Sequence, residues 1–187
     1  MKTQNIWNRF RLSDNQKRNP NNLKLHFEKG IDVALRKQYI DLTKWLRKTF
    51  AFPTLLNVYI INTEKMQLGN GKWVYGSFKW FNKRTPIIKI PSSVGEELKQ
   101  EYTNEEINEM ILSSLIHEIT HYYQWVEGLK QTNAITERQA NFYRYRILNE
   151  FFSRYIRFLS VILAFGELYC VTRNSLRVNI TVPQGTV

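Results

Sequence analysis

The chain has 187 residues, of which 43% are hydrophobic and 14% aromatic, and this composition predicts one globular domain rather than a disordered chain. Cys170 is the only cysteine, which excludes an intramolecular disulfide and a cysteine-based zinc site. The formal net charge of +11 favours solubility or affinity for an anionic partner such as nucleic acid, although no zinc-finger, RNA-binding or basic-zipper motif accompanies it.

Residues 1–29 are polar and basic, and the sequence Asn19-Pro20-Asn21-Asn22 within them is typical of a turn. We therefore expect an irregular N-terminal extension in this part of the chain. The segment lacks the apolar core of a signal peptide, and together with the single cysteine this favours a cytoplasmic protein.

The next part of the chain carries the signals of one helix and three strands. Apolar residues at helical spacing from Ile31 onward predict a helix that ends before Pro53. Strands are predicted at residues 55–61, 73–80 and 86–90, where β-branched and aromatic residues form continuous or alternating apolar runs. One helix, three strands and further helices in this order indicate an α+β fold rather than repeated βαβ units.

A long helix is predicted over residues 104–127. Thr103 and Glu106 match the capping-box pattern at its start, and Gly128 suits the left-handed turn that follows a helix. Its apolar flanks favour a position inside the fold.

Within this helix, His117 and His121 enclose Glu118 in a His-Glu-x-x-His sequence. Residues four apart lie on one helix face because the repeat is 3.6 residues per turn, so both imidazoles can bind one metal ion. Glu118 is rotated by about 100° from His117 and borders that face, where it can act as general base on a water. The motif predicts a site for one zinc ion; two solvated histidines beside a glutamate are the alternative.

A catalytic zinc ion commonly takes a third protein ligand, and Glu137 is the best candidate. A second helix is expected to begin at Thr136, and the loop before it lets the chain return to the first helix. Glu127 and Glu150 are rivals, but Glu127 shares the histidine helix and Glu150 lies several turns further on. The alternative role of Glu137 is that of an ordinary first-turn glutamate favoured by the helix dipole.

The two histidines and the segment Glu137-Arg138-Gln139-Ala140-Asn141 carry a family resemblance. Together they resemble the His-Glu-x-x-His … Glu-x-x-Ala-Asn pattern of ImmA/IrrE-type metallopeptidases. The order of elements over residues 30–150 also resembles the minimal, gluzincin-like zincin fold shared with SprT-like proteases. The resemblance implies a three- or four-stranded sheet, an active-site helix, and a second long helix that carries the third ligand.

That resemblance implies a zinc metalloendopeptidase in which His117, His121 and Glu137 bind zinc and Glu118 is the general base. In zincins the substrate backbone adds to an edge strand beside the cleft, and the matching segment here is Tyr75-Gly76-Ser77-Phe78. Gly76 would allow close backbone approach there, with a bulge or a packing glycine as the alternative.

Three tyrosines near the motif have open roles. Tyr122, Tyr123 and Tyr143 can each donate a hydrogen bond to the oxyanion of the reaction or serve only in packing.

Residues 151–187 continue the apolar helical pattern and end in an alternating segment, 176–182, that predicts a half-exposed strand. The uncharged run 158–166 is shorter than the roughly 20 apolar residues that span a bilayer, so no transmembrane segment is expected.

Two classes of function follow from these patterns. The first is zinc-dependent hydrolysis of an intracellular protein or peptide substrate. The second is a basic module that binds nucleic acid or protein and whose metal site is structural or non-catalytic.

Overall fold

The computed structural model describes residues 5–13, 22–81 and 84–175. The chain divides into two compact units, the first ending at Asn149 and the second beginning at Glu150. In chain order, the helices and strands are α1 (Ile6–Arg9), β1 (Leu23–Phe27), α2 (Val33–Thr49), β2 (Leu56–Ile61), β3 (Met66–Gln67), β4 (Trp73–Val74), β5 (Ser77–Phe81), β6 (Arg84–Pro91), α3 (Glu96–Glu101), α4 (Asn104–Val126) and α5 (Asn133–Ser175).

The main sheet has four strands in the order β1-β2-β6-β5. β1, β2 and β6 run parallel, whereas β5 pairs antiparallel with β6 at the edge, with Phe78 opposite Ile88. β3 and β4 form a separate antiparallel pair. Helices combined with a small mixed sheet confirm the predicted α+β class.

The core is built by alternation along the central strands. In β2, Leu56, Val58 and Ile60 are at most 1% exposed, and in β6 Ile88 and Ile90 are fully buried. α4 packs against β5 and β6, and it contributes a set of buried aliphatic side chains: Ile107, Ile111, Leu112, Leu115, Ile116 and Ile119. Each such side chain stabilises the fold by about 1.5–3 kcal/mol, so α4 is held firmly against the edge of the sheet.

The start and end of α4 agree with the local signals in its sequence. The Thr103 side chain accepts a hydrogen bond from the Glu106 amide, and the Glu106 carboxylate accepts one from the Thr103 amide at 2.8 Å. Gly128 follows the helix with a φ of 60°. The capping box and the C-terminal glycine confirm the predicted helix to within one residue at its end.

The N-terminal residues differ from the predicted irregular extension. Trp7 of α1 is fully buried, and its indole N–H donates to the Thr120 hydroxyl at 3.0 Å. β1 is a strand of the main sheet, parallel to β2. The described parts of residues 1–29 therefore belong to the core unit, because one aromatic anchor and one alternating five-residue strand outweigh the polar composition around them.

Two further elements differ from the sequence prediction. The strand expected at 73–80 is divided into β4 and β5, and Gly76 lies in the interruption. α5 begins at Asn133, since the Thr132 carbonyl accepts the amides of Ile135 and Thr136. Thr136 is therefore inside the helix and not its N-cap.

The C-terminal predictions fall partly beyond the described residues. α5 continues to Ser175, as the helical pattern predicts, and the strand expected at 176–182 lies outside the described part of the chain. No helix among the described residues has an apolar stretch long enough to cross a membrane.

Candidate metal centre

Three of the predicted site residues converge at the contact between α4 and the start of α5. The Nε2 atoms of His117 and His121 are 3.1 Å apart. The Glu137 carboxylate faces both rings, with one oxygen 3.2 Å from His121 Nε2 and the other 3.3 Å from His117 Nε2. Ligand atoms of these three residues all lie within 4.8 Å of one another, and the group could hold a metal ion.

The separations among these atoms fit a small tetrahedral cation. Zinc bonds to imidazole nitrogen and carboxylate oxygen are about 2.0–2.2 Å long, which sets neighbouring tetrahedral ligands about 3.3 Å apart. The observed distances of 3.1, 3.2 and 3.3 Å are close to that value. Two imidazoles and one carboxylate are also a donor set that zinc takes in catalytic sites.

Gln124 orients His121 for such a role. The Gln124 side-chain amide donates to the Thr136 carbonyl at 3.0 Å and to Gln139 Oε1 at 2.9 Å, so its nitrogen must face α5. Its oxygen then faces His121 Nδ1 at 2.8 Å and accepts that N–H. The proton therefore lies on Nδ1, and the Nε2 lone pair of His121 points toward Glu137 and His117.

The surroundings of His117 favour the neutral form of its imidazole. Burial, followed by the electrostatic influence of the neighbouring His121 ring, lowers the pKa of His117 to about 4. Its Nδ1 atom is buried without a hydrogen bond of normal geometry, and a weaker interaction with the Asn141 side chain opposes the lowering of its pKa, whereas Nδ1 of His121 is anchored by Gln124. A neutral ring with Nε2 directed at the cluster suits metal ligation, because only the deprotonated nitrogen can bind a cation.

Glu118 lies beside the cluster, against the backbone between β4 and β5. A Cβ atom on Gly76 would be 2.6 Å from Glu118 Oε1, so only glycine leaves room for the carboxylate as it lies here. The Phe78 amide hydrogen-bonds the carboxylate. Burial, followed by the charge of Glu137, raises the pKa of Glu118 to about 8; a nearby divalent cation would oppose both influences.

A cleft of about 920 Å³ opens over this group of residues. The predicted substrate segment Tyr75-Gly76-Ser77-Phe78 lines one side of the cleft, and His117, Glu118, His121 and Glu137 line it as well. β5 pairs with β6 along one edge only, and the amide that Phe78 directs to Glu118 belongs to its other edge. An extended chain in the cleft would therefore lie along the edge of β5 that no other described strand occupies.

The rival ligands and the candidate tyrosine donors lie elsewhere. Glu127 pairs with Arg9 at 2.7 Å, and Glu150 pairs with Arg154 at 3.4 Å. The buried Tyr122 and Tyr123 donate their hydroxyls to the carbonyls of Thr54 and Ala51, and Tyr143 is buried as well. None of the three tyrosines lines the cleft, so the structure favours packing for all of them.

Sequence reasoning missed Gln124, Ser113 and Arg144. Gln124 follows His121 by three residues, which places it on the same helix face, so a signal for it exists in the spacing. Arg144 follows Glu137 by two helical turns and hydrogen-bonds Ser113 on α4. The pairing of Arg144 with Ser113 is a tertiary contact that no local pattern predicts.

Comparisons of the chain with protein-family models, with curated proteins and with solved structures find no match.

Proposed function

We propose that this protein is a zinc-dependent metalloendopeptidase of the zincin type that hydrolyses peptide bonds of a protein substrate. The observation that carries the proposal is the convergence of His117, His121 and Glu137 to ligand-like distances beside the buried carboxylate of Glu118. Zinc, when bound, supplies a Lewis acid and makes water more acidic. The four residues have distinct roles in the reaction.

Glu118 is the general base. Its carboxylate takes a proton from the attacking water and gives that proton to the amine that leaves. The Phe78 amide donates to the carboxylate, and the absence of a side chain at Gly76 leaves room for it at the cleft wall. The position of the carboxylate therefore does not depend on the substrate.

The edge of β5 is the substrate platform. A peptide that adds to this edge gains backbone hydrogen bonds and lies along the same cleft that contains the metal ligands. Strand addition recognises any extended chain, which suits a peptidase acting on a locally unfolded segment.

Glu118→Gln tests the assignment of the base. The variant keeps the shape of the side chain, so we expect zinc content near one equivalent and at least a hundredfold loss of hydrolysis of a quenched fluorescent peptide library. His121→Ala, by contrast, is expected to lose the metal as well as the activity. If Glu118→Gln hydrolyses peptides as fast as the wild-type protein, Glu118 is not the base.

Binding of single-stranded nucleic acid is a second candidate function, and the surface beside the cleft favours it. Residues 65–95 contain five lysines and one arginine but no aspartate or glutamate. Trp73, Tyr75 and Trp80 in this segment are 54%, 50% and 53% exposed. Exposed rings among cations can stack bases and neutralise phosphates.

Salt dependence and ring removal test this second candidate. Affinity for a labelled single-stranded oligonucleotide should fall steeply as salt rises, and the double variant Trp73→Ala, Trp80→Ala should bind about tenfold more weakly or worse. A protein that shows no binding at 50 mM salt has no such function.

A further inference from the structure

Arg144 is a cation in the cleft that the proposed reaction leaves without a role. It lines the cleft together with the metal ligands and Glu118. Its Nε and Nη2 atoms both donate to the Ser113 hydroxyl, at 3.2 and 2.7 Å, and its guanidinium lies over the Tyr145 ring at 4.8 Å. Ser113 itself is fully buried and donates to the Met110 carbonyl, so its hydroxyl oxygen remains available to accept from Arg144.

The charge of Arg144 is not balanced by an ion pair within the described residues. Its direct contacts are with a hydroxyl and an aromatic ring, and its charge acts on His117 and Glu118 only at longer range. A fixed positive charge close to a metal site works against cation binding. Such a charge is compatible with function when the ligand that enters the cleft is an anion.

The distance along α4 decides what kind of anion Arg144 can reach. Ser113 lies four residues before His117, on the side away from His121. Ser113, which holds the guanidinium, therefore lies about 9 Å along α4 from the level midway between the two histidines. A guanidinium held at that level suits a substrate group some distance along the chain better than the oxyanion at the reacting carbon, which needs a donor within about 3 Å.

We propose that Arg144 binds a carboxylate of the peptide, either an acidic side chain or the C-terminal carboxylate, one or two residues from the bond that is cut. An extended peptide advances about 3.3 Å per residue, and an acidic side chain adds several ångströms, so a carboxylate at that position reaches the guanidinium. The planar fork of an arginine held in place matches the two oxygens of a carboxylate. This inference rests on the peptidase function proposed above.

Binding to a catalytically disabled protein tests the inference without hydrolysis. In the zinc-loaded Glu118→Gln background, three fluorescent heptapeptide pools are compared by anisotropy. One pool contains acidic residues and an amidated C-terminus, one is free of acidic residues with a free C-terminus, and one is neutral in both respects. We expect the first or the second pool to bind about tenfold to a hundredfold tighter than the third.

The matched variants separate a specific contact from net charge. Arg144→Gln should remove the preference, whereas Arg146→Gln, which removes an exposed arginine over the Phe142 ring, should keep it. Arg144→Glu should bind whichever carboxylate-containing pool the parent prefers more weakly than it binds the neutral pool. Ser113→Ala keeps the charge but releases the side chain, so the preference should weaken without disappearing. If Arg144→Gln proves unstable, Arg144→Lys keeps the charge and should retain only part of the preference.

The outcomes distinguish this inference from the peptidase proposal. Equal binding of all pools, or a preference that survives Arg144→Gln, overturns the role of Arg144. Hydrolysis by the wild-type protein that prefers neither an acidic residue nor a free C-terminus near the cut site also overturns it and leaves the peptidase proposal intact. A carboxylate preference that depends on Arg144, in a protein that hydrolyses no peptide, supports the binding site and refutes the peptidase proposal.

Discussion

Gln124 links the histidines on α4 to the part of α5 that carries Glu137, and its replacement by leucine is the most informative change. Its oxygen accepts the His121 Nδ1–H at 2.8 Å, and its nitrogen donates to the Thr136 carbonyl and to Gln139. Leucine fills a similar volume but provides none of these contacts. The ring of His121 then loses its fixed orientation, and α5 loses a link beside Glu137.

The size of the effect follows from those contacts. When a metal-binding histidine loses the hydrogen bond made by its other ring nitrogen, the affinity for the metal falls by about 10- to 100-fold, or about 1.4–2.7 kcal/mol. The three contacts of Gln124 are worth about 0.5–1.5 kcal/mol each, and water can replace part of the two on the half-exposed α5 side. The free energy of unfolding of the metal-stripped protein should therefore fall by about 1–3 kcal/mol.

Zinc affinity is measured by competition with a chromophoric chelator, and stability by urea unfolding in the presence of a strong chelator. Gln124→Glu is the matched control, because a carboxylate still accepts the His121 N–H but cannot donate to α5. We expect it to lose stability while it keeps most of the zinc affinity. Wild-type affinity in Gln124→Leu, combined with an intact fold, would refute the assigned orientation of His121.

Two further changes test the surroundings of the site. Gly76→Ala places a Cβ atom 2.6 Å from Glu118 Oε1, whereas ordinary contact begins at 3.4 Å, so the carboxylate must move by about 0.8 Å. Peptide hydrolysis should therefore fall about 10- to 100-fold, while the zinc content stays unchanged. Gly69→Ala, where a Cβ atom meets nothing within 4 Å, should hydrolyse normally; equal rates in both variants would contradict the role given to Gly76. Trp7→Ala should lower the free energy of unfolding by about 3–5 kcal/mol, since the indole is fully buried. Trp73→Ala, at an exposed site, should change the free energy of unfolding by less than about 0.5 kcal/mol. Similar values for the two variants would show that α1 is not part of the cooperative core.

The local parts of the fold could be predicted from the sequence. The capping box at Thr103 and the glycine at 128 mark α4, and the histidine spacing places both rings on one face whatever the rest of the chain does. The continuous run of apolar, largely β-branched residues likewise predicts the buried strand β2. Each of these signals operates within a few residues.

β1 was missed although its sequence carries a weak signal. Leu23, Leu25 and Phe27 alternate with Lys24 and His26, which is the period of a strand. As an edge strand it buries little besides Leu23, and the asparagine-rich residues before it obscured the pattern.

The sites of contact between distant segments could not be predicted, and they determine the chemistry. A glycine within an alternating run indicates a bulge or a close approach but does not reveal its partner. In the structure Gly76 both interrupts the strand and leaves the space that the Glu118 carboxylate occupies, 42 residues later in the chain. Thr120 likewise accepts the indole N–H of Trp7 on the face of α4 away from the cleft.

The motif on α4 therefore acquires its geometry from three directions. Gln124 hydrogen-bonds α5 and orients His121, and Glu137 of α5 faces both histidines. Gly76 and Phe78 at the sheet edge position Glu118, and Trp7 contacts the opposite face of α4. Rings one turn apart would bind a cation weakly on an isolated helix, because side-chain entropy opposes the alignment of every ligand. The tertiary contacts remove most of that freedom before a metal arrives. Substitutions at Gln124 and Gly76 should therefore affect separate properties, zinc affinity for the first and the rate of hydrolysis for the second, even though both residues lie within the same cleft.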